Sequence, residues 1–281
     1  MHSMELLPQE RSMITSKENQ VDKMWPQRGD LVFDNVSLRY REGLPLSLDN
    51  LSFTITHRQR CAVVGRSGAG KSTLTTALFR LVELEGGKIT LDGVNLSCLG
   101  LSDVRGRRNG MFILPQDPAV FAGTIKTNLD PFDSFSDKDI VKALQLIKFP
   151  GFERGMHLLT QEVEEGGGNF SAGEKQLLCL TRAMLVNPRL LVLDEATSSV
   201  ERATDEFVQR ILRTHFVNTT LLTIAHRLNT IIDYDIVIVM NEGKVAEIGT
   251  PKALLRQNGV FADMVNATGP ESAAQLKQLA K

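Results

Sequence analysis

The stretch Gly65-Arg66-Ser67-Gly68-Ala69-Gly70-Lys71-Ser72 decides how this chain folds, because it fits G-x-x-x-x-G-K-[ST] between an apolar run and a helical pattern. Ala62-Val63-Val64 leads in as a buried strand. Leu74, Ala77, Leu78 and Leu81 follow at i, i+3, i+4 and i+7, the spacing of one helix face. Glycines in such a loop let successive backbone N–H groups turn inward, and the helix start adds partial positive charge, so the segment reads as a cradle for phosphates. Lys71 would reach the β- and γ-phosphates, and Ser72 a Mg²⁺ ion.

Upstream, residues 1–29 are polar and aperiodic until Trp25-Pro26 and read as a linker or the end of a preceding segment. From Leu31 the pattern changes: Leu46 and Leu48, then Leu51, Phe53 and Ile55, alternate with polar residues as in a half-exposed antiparallel sheet. Ile89-Thr90-Leu91 before Asp92-Gly93 reads as a further strand and turn. Downstream, Met111-Phe112-Ile113-Leu114 is a short buried strand closed by Pro115-Gln116-Asp117-Pro118, and mostly helical patterning follows to Val186. Ser171 is placed to cap a helix whose apolar face is Leu177, Leu180, Met184 and Leu185, and Asn187-Pro188 ends it. Leu190 to Leu193 and Thr220 to Ile224 are buried strands around a helix lined by Phe207, Val208, Ile211 and Leu212. That alternation implies a parallel α/β sheet with ligand at the strand C-terminal ends. Asn241-Glu242-Gly243-Lys244 turns a late hairpin, Thr250-Pro251 starts a terminal helix, and the stretch after Thr268 reads as a mobile tail.

Composition narrows the function classes. The 281 residues carry a formal net charge of −1, with 42% hydrophobic and 23% charged residues, which lacks the basic excess usual for nucleic-acid binding. Cys61, Cys98 and Cys179 are odd in number and lie in or beside apolar runs, the pattern of reduced, buried thiols. No stretch approaches the roughly 20 apolar residues of a membrane helix; even Ile231 to Met240 holds Asp233 and Asp235. The first residues also lack the pattern of a signal peptide, so any membrane partner is expected elsewhere in a longer chain or on another chain.

Several polar residues sit where a nucleotide fold does chemistry. Asp194 and Glu195 close the strand Leu190 to Leu193: the first would hold Mg²⁺ through its water shell, the second would orient or deprotonate the water attacking the γ-phosphate. His226 follows the strand ending Ile224-Ala225 and Gln116 follows the strand Met111 to Leu114, so parallel order brings both to the same sheet edge. A single histidine after a strand serves structure as readily as chemistry, and Gln116 alone is a weak signal. Phe170-Ser171-Ala172-Gly173-Glu174, preceded by Gly166-Gly167-Gly168, reads equally as a helix cap or as a second anion site.

Together, the phosphate loop, Gln116, Phe170 to Glu174, Leu190 to Glu195 and His226 stand in the order found in the nucleotide-binding domain of ATP-binding cassette transporters, and over about residues 30–268 the chain resembles that family. Leu44-Pro45-Leu46 after Tyr40, Leu114 to Pro118 and Asn128-Leu129-Asp130-Pro131-Phe132 are similar to the C-terminal cassette of the multidrug-resistance-associated (C) subfamily. The resemblance implies an α/β fold with a RecA-like P-loop NTPase core, an antiparallel β subdomain and a helical subdomain at about residues 118–186. It implies ATP held by Gly65, Arg66, Ser67, Gly68, Ala69, Gly70, Lys71, Ser72 and Thr73, with Tyr40 stacked on adenine. Mg²⁺ would be held by Ser72, Gln116 and Asp194, and Glu195, His226 and Gln116 would serve catalysis. Ser171 and Gly173 would serve a nucleotide on the partner, a first cassette closing head to tail. Transmembrane domains would dock near Gln116 and the helical subdomain, at the cytoplasmic face of a membrane. Where the family has Leu-Ser-Gly-Gly-Gln and Ser-Ala-Leu-Asp, this chain has Phe170 to Glu174 and Ser198-Ser199-Val200-Glu201, so the site served by its own signature is expected to be the weaker one. Three function classes follow: an ATPase module driving export; a DNA-repair or chromosome ATPase, for which residues 73–169 are too short to hold a coiled coil; and a regulatory nucleotide sensor of a channel or channel-associated membrane protein.

Overall fold

The computed structural model describes residues 10–106, 109–194, 201–225 and 227–280. In chain order it begins with strands β1 (Leu31–Leu38), β2 (Leu48–Ile55) and β3 (Arg60–Gly65), helix α1 (Lys71–Leu78), β4 (Gly86–Leu91), β5 (Val94–Asn95), α2 (Leu101–Arg105) and β6 (Met111–Leu114). The middle holds β7 (Gly123–Thr124), α3 (Ile125–Leu129), α4 (Asp137–Leu146), β8 (Glu162–Val163) and α5 (Ala172–Val186). The last part holds β9 (Leu190–Asp194), α6 (Arg202–His215), β10 (Thr220–Ile224), β11 (Ile236–Asn241), β12 (Lys244–Gly249), α7 (Pro251–Gln257), α8 (Val260–Asn266) and α9 (Pro270–Leu279).

Period-two patterning makes the first sheet, antiparallel in the order β2-β1-β4-β5. Leu31, Phe33, Val36 and Leu38 of β1 face the core beside Leu51, Phe53 and Ile55 of β2, and the rings of Phe33 and Phe53 stack at 4.5 Å. Continuous apolar runs make the second, ordered β12-β11-β3-β10-β9-β6, with every pair parallel except β11 and β12. Both faces of β3, β9 and β10 are covered, which is why those strands read as unbroken hydrophobic runs. Val63, Ile224 and Asp194 lie abreast in this sheet, and Leu114 lies abreast of Leu193. The C-terminal ends of β3, β6, β9 and β10 therefore lie along one edge.

Four local expectations change. Helix α1 stops at Leu78 because Arg80 takes a φ of +51°, so Leu81 is 59% exposed and not part of the helix face. The described part of the expected linker is docked: Leu101 and Ser102 donate backbone N–H groups to the carbonyls of Ser12 and Met13, both at 3.0 Å, and the Asp92 carboxylate accepts the N–H groups of Gln27, Arg28, Gly29 and Asp30 at 2.7–2.8 Å. Such backbone-to-side-chain tethering leaves no periodic trace. The stretch after Thr268, expected to be mobile, forms α9, which buries Ala273 and Leu276 against Leu254, Phe261 and Val265. Cys98 is exposed, whereas Cys61 and Cys179 are buried and burial pushes both of their thiols up in pKa. A thiol-specific alkylating reagent should thus label Cys98 rapidly in the folded chain and the other two only after denaturation; mass mapping of early label on Cys61 would contradict this packing.

At the other end of the parallel sheet, Asp233 bridges Arg60 Nη1 (3.1 Å) and the Nε and Nη2 of Arg213 (3.2 and 3.1 Å). Burial pushes the Asp233 carboxyl up, but the Arg213 hydrogen bonds and the two guanidinium charges outweigh it and hold the group below its ordinary value. A depressed folded pKa contributes stability above the unfolded pKa and loses it as pH falls through the folded one. Asp233→Asn should lower the urea midpoint at about pH 7, and the gap from the parent should close toward about pH 2 as both carboxyl states become neutral. A gap that widened in acid would reverse the assigned sign.

Candidate functional site

Strand β3 delivers the loop of residues 66–70 to the sheet edge, and two close backbone approaches require its glycines. A Cβ on Gly65 would stand 2.5 Å from the Met240 carbonyl oxygen, and one on Gly70 2.6 Å from that of Ser47. Gly70, at φ +95°, is the N-cap of α1, so no capping side chain covers the start of that helix. Its first N–H groups lack intrahelical acceptors and carry the positive end of the helix dipole. Ala69 N–H bonds the Arg66 carbonyl at 3.1 Å, and Gly243 of the β11–β12 hairpin donates to the Ala69 carbonyl at 3.1 Å, which braces the loop from below. Lys71 is only 6% exposed; its Nζ donates to the carbonyls of Gly65 (2.9 Å) and Arg66 (3.2 Å), folding the ammonium back over the loop.

Beside this cradle lies a cavity of about 530 Å³, whose walls include Tyr40, Leu46, Ser67, Gly68, Lys71 and Ser72. Its volume is that of a small-molecule site. Tyr40 is 47% exposed and its hydroxyl donates to Thr73 Oγ1 at 3.1 Å, so the ring stands at the mouth of the cradle rather than in the core. The Ser72 side chain is exposed on the first turn of α1, while Thr73 is buried. Asp194 ends β9 half-buried and Gln116 is exposed two residues beyond β6, both on the edge that carries the cradle. Glu195 and His226 lie outside the described residues, as do Ser198, Ser199 and Val200.

Ser171 and Gly173 are not among the residues lining the cavity. They begin α5, where Ser171 and Glu174 form a capping box: the Glu174 carboxylate accepts from the Ser171 backbone N–H and hydroxyl, both at 2.8 Å, and Glu174 N–H returns to Ser171 Oγ at 3.2 Å. Phe170 is buried beneath, with its ring 6.2 Å from Phe149. Of the two local readings of this segment, the helix cap is the one these bonds form. Ser47, Glu242 and Gly243 also line the cavity and are not identified from sequence; Ser47 comes from the segment just before β2, and Glu242 and Gly243 from the long-range approach of the β11–β12 hairpin.

The residues present fit a nucleoside triphosphate with a divalent cation. The glycine loop leaves room where a Cβ would collide, an uncapped helix start faces anions, and a hydroxyl on α1 and a carboxylate on β9 share one edge. A magnesium ion takes one or two protein oxygens plus substrate phosphates and needs no larger carboxylate cluster.

Residues 48–198 match the family model described as "ABC transporter". The chain belongs to the ABC transporter family. It is 45% identical over 264 residues to ATP-binding cassette sub-family C member 2 of Mus musculus, a match covering 94% of this chain and 17% of that protein. It is 46% identical over 262 residues to ABC transporter C family member 12 of Dictyostelium discoideum, covering 92% of this chain and 19% of that protein. The chain thus spans less than a fifth of the length of these relatives. Among solved structures, a bacterial Atm1-family ABC exporter with ATP bound aligns with a TM-score of 0.79 at 34% identity, over 86% of this chain and 42% of that one. The α/β core is therefore the RecA-like P-loop fold, and this cassette is an ATP-binding domain of the ABC transporter family.

The geometry separates two glycine positions of the cradle. Gly68→Ala meets nothing within 4 Å and should cost about 1–2 kcal/mol for its left-handed backbone. Gly70→Ala adds the collision with Ser47 and should lower the melting temperature further and weaken ATP binding much more, as read by thermal melts and nucleotide titration. Equal effects at both positions would count against the close approach.

Proposed function

We propose that this cassette binds and hydrolyses Mg-ATP as the second nucleotide-binding domain of a subfamily C exporter. The observation that carries the reading is the cavity joining Tyr40 to Ser67, Gly68 and the stretch Gly70 to Thr73, on the sheet edge where Asp194 ends β9. Tyr40 stacks on the adenine, an interaction of about 1–3 kcal/mol per base, and the loop N–H groups and Lys71 hold the phosphates. Ser72, Gln116 and Asp194 would hold Mg²⁺, which would supply neutralisation of phosphate charge. Glu195 takes the proton of the attacking water, and His226 donates a hydrogen bond to a γ-phosphate oxygen. Binding at Lys71 draws the ammonium from the Gly65 and Arg66 carbonyls onto phosphate oxygens, a stronger, charge-assisted pairing.

The partner is a first cassette whose signature completes the Lys71 site, while Ser171 and Gly173 face the nucleotide of that partner. The capping box supports inequality between the two sites, because the Ser171 hydroxyl that would donate to a phosphate is committed to the Glu174 carboxylate. Among the described residues no helix is long and apolar enough to cross a membrane; transmembrane domains belonging to the same transporter would place the cassette at the cytoplasmic face.

Glu195→Gln, assayed with the partner cassette, should retain ATP affinity while turnover falls by at least the ~10²-fold typical of losing a general base; turnover at the parent rate would remove Glu195 from the mechanism. The double substitution Ala172→Gly with Glu174→Gln should raise the ATPase rate of the isolated chain at concentrations where two copies pair, and a rate unchanged or lower would end the argument for an unequal signature.

A further inference from the structure

The loop between β6 and β7 is tied to α5 by two side chains that the nucleotide chemistry does not use. Asn128, 4% exposed on α3, accepts the Phe121 N–H at Oδ1 (2.9 Å) and donates from Nδ2 to the carbonyls of Phe121 (2.8 Å) and Thr124 (3.0 Å). Arg182, in the third turn of α5, donates from Nη2 to Asn128 Oδ1 (3.1 Å), from Nε to the Asn128 carbonyl (2.6 Å) and from Nη1 to the Ala119 carbonyl (2.6 Å). All three donating nitrogens of one guanidinium therefore bond this loop or its anchor, and Nη1 is shared with Cys179 Sγ on α5 at 3.8 Å. Val120 adds a packing contact: a Cβ on Gly167 would stand 3.2 Å from its Cγ1, so the loop also touches the glycine turn before Ser171.

The two ends of this arrangement are the site residues themselves. Gln116 lies three residues before Ala119, and Phe121, 65% exposed, stands at the outer surface. Arg182 lies ten residues along α5 from Ala172, about 15 Å at the helical rise, and an intact helix carries a displacement over that length to its N-terminus. A loop held only by its chain ends would absorb a shift at Gln116 locally. A loop whose backbone is bonded at Ala119, Phe121 and Thr124 to side chains anchored on α3 and α5 passes the shift on.

We propose that Arg182 and Asn128 are positioning residues that lock the Gln116 loop to the signature helix, so that nucleotide bound at Lys71 sets the placement of Ser171 and Gly173 in the same chain. This rests on the reading that Gln116 faces that nucleotide. Arg182 and Asn128 touch neither nucleotide nor metal; they act through the Ala119, Phe121 and Thr124 carbonyls and the Phe121 N–H.

Hydrogen exchange by mass spectrometry on the full chain tests this, at a dilution where sedimentation shows monomer, so that no second copy protects the signature. The readout is the ratio of exchange rates without and with Mg-ATP. In the parent, Mg-ATP should slow exchange at residues 65–73, 117–124 and 170–177. In Arg182→Gln the response at 65–73 should remain while that at 170–177 falls on the order of fivefold, the low end of coupling between sites. Asn128→Asp, which keeps the accepting oxygen but removes the donor to Phe121 and Thr124, should give the same split and serves if Arg182→Gln folds poorly. A merely structural role would raise exchange at 170–177 in both states and leave the ratio intact. A response at 170–177 equal to the parent in both variants, or a parent protected at 65–73 but not at 170–177, overturns the bracket alone. A parent unprotected at 65–73 overturns the nucleotide reading and the bracket with it.

Discussion

The parallel hydrogen bonding of β3 between β10 and β11 is the interaction on which the rest of this molecule depends. Leu221 to Ile224 pair with Arg60 to Val63 on one side, and Ile236 to Met240 pair with Cys61 to Gly65 on the other. A slip of one residue would exchange the two faces of β3. Cys61 and Val63 would then leave the core shared with the antiparallel sheet, and Ala62 and Val64 would leave the core shared with α8 and α9. The same register sets Gly65 against Met240, and that contact excludes any side chain at the start of the cradle. Burial of a strand on both faces thus fixes where a loop begins, to within one residue.

Two helix N-termini in the chain show how the same dipole is put to different uses. Helix α1 starts from a left-handed glycine with no capping side chain, so its N–H groups await an external acceptor. Helix α5 satisfies its own first turn through Ser171 and Glu174, a closure worth about 1 kcal/mol to a typical helix. An anion approaching α5 must compete with a carboxylate already seated there, whereas at α1 no capping side chain stands at the helix start and the Lys71 ammonium rests on the Gly65 and Arg66 carbonyls. The difference is chemical and local, and it makes the two helix starts unequal toward an anion.

What was legible in the sequence follows from the range of the forces involved. Strands β3, β6, β9 and β10, the cradle, the Ser171 cap and the β11–β12 hairpin come from local pattern and turn chemistry, and each is present. Leu81 and Cys98 were misplaced because helix termination at Arg80 and the exposure of a thiol beside apolar residues depend on tertiary packing. The docking of residues 12–30 was invisible for a related reason: its bonds are backbone groups meeting Asp92 and α2, which any polar sequence of that length could supply. Helix α9 did leave a signal, Pro270 at its first turn with Ala273 and Leu276 three apart, but only the Leu254–Phe261 surface makes that spacing meaningful. In the site, Ser47 and Gly243 belong to the same class, reached across the fold rather than along the chain.

The parallel sheet also divides the hydrophobic interior, and that division bears on how the cassette can work. Leu190 and Val192 of β9 pack with Leu74, Ala77 and Leu78 of α1, while Leu191 and Leu193 pack with Leu178, Leu180 and Ala183 of α5. The helix that begins at the cradle and the helix that begins at the signature therefore rest on opposite faces of one strand, in separate cores. Close packing resists continuous deformation within a core, so a displacement between the two helices is accommodated most easily at the boundary between cores. The segment from Gln116 to α3 crosses that boundary, starting at the edge that carries the cradle and ending against α5. A hydrogen-bonded anchor at its far end is then what distinguishes a loop that relays the position of one helix to the other from a loop that merely connects them.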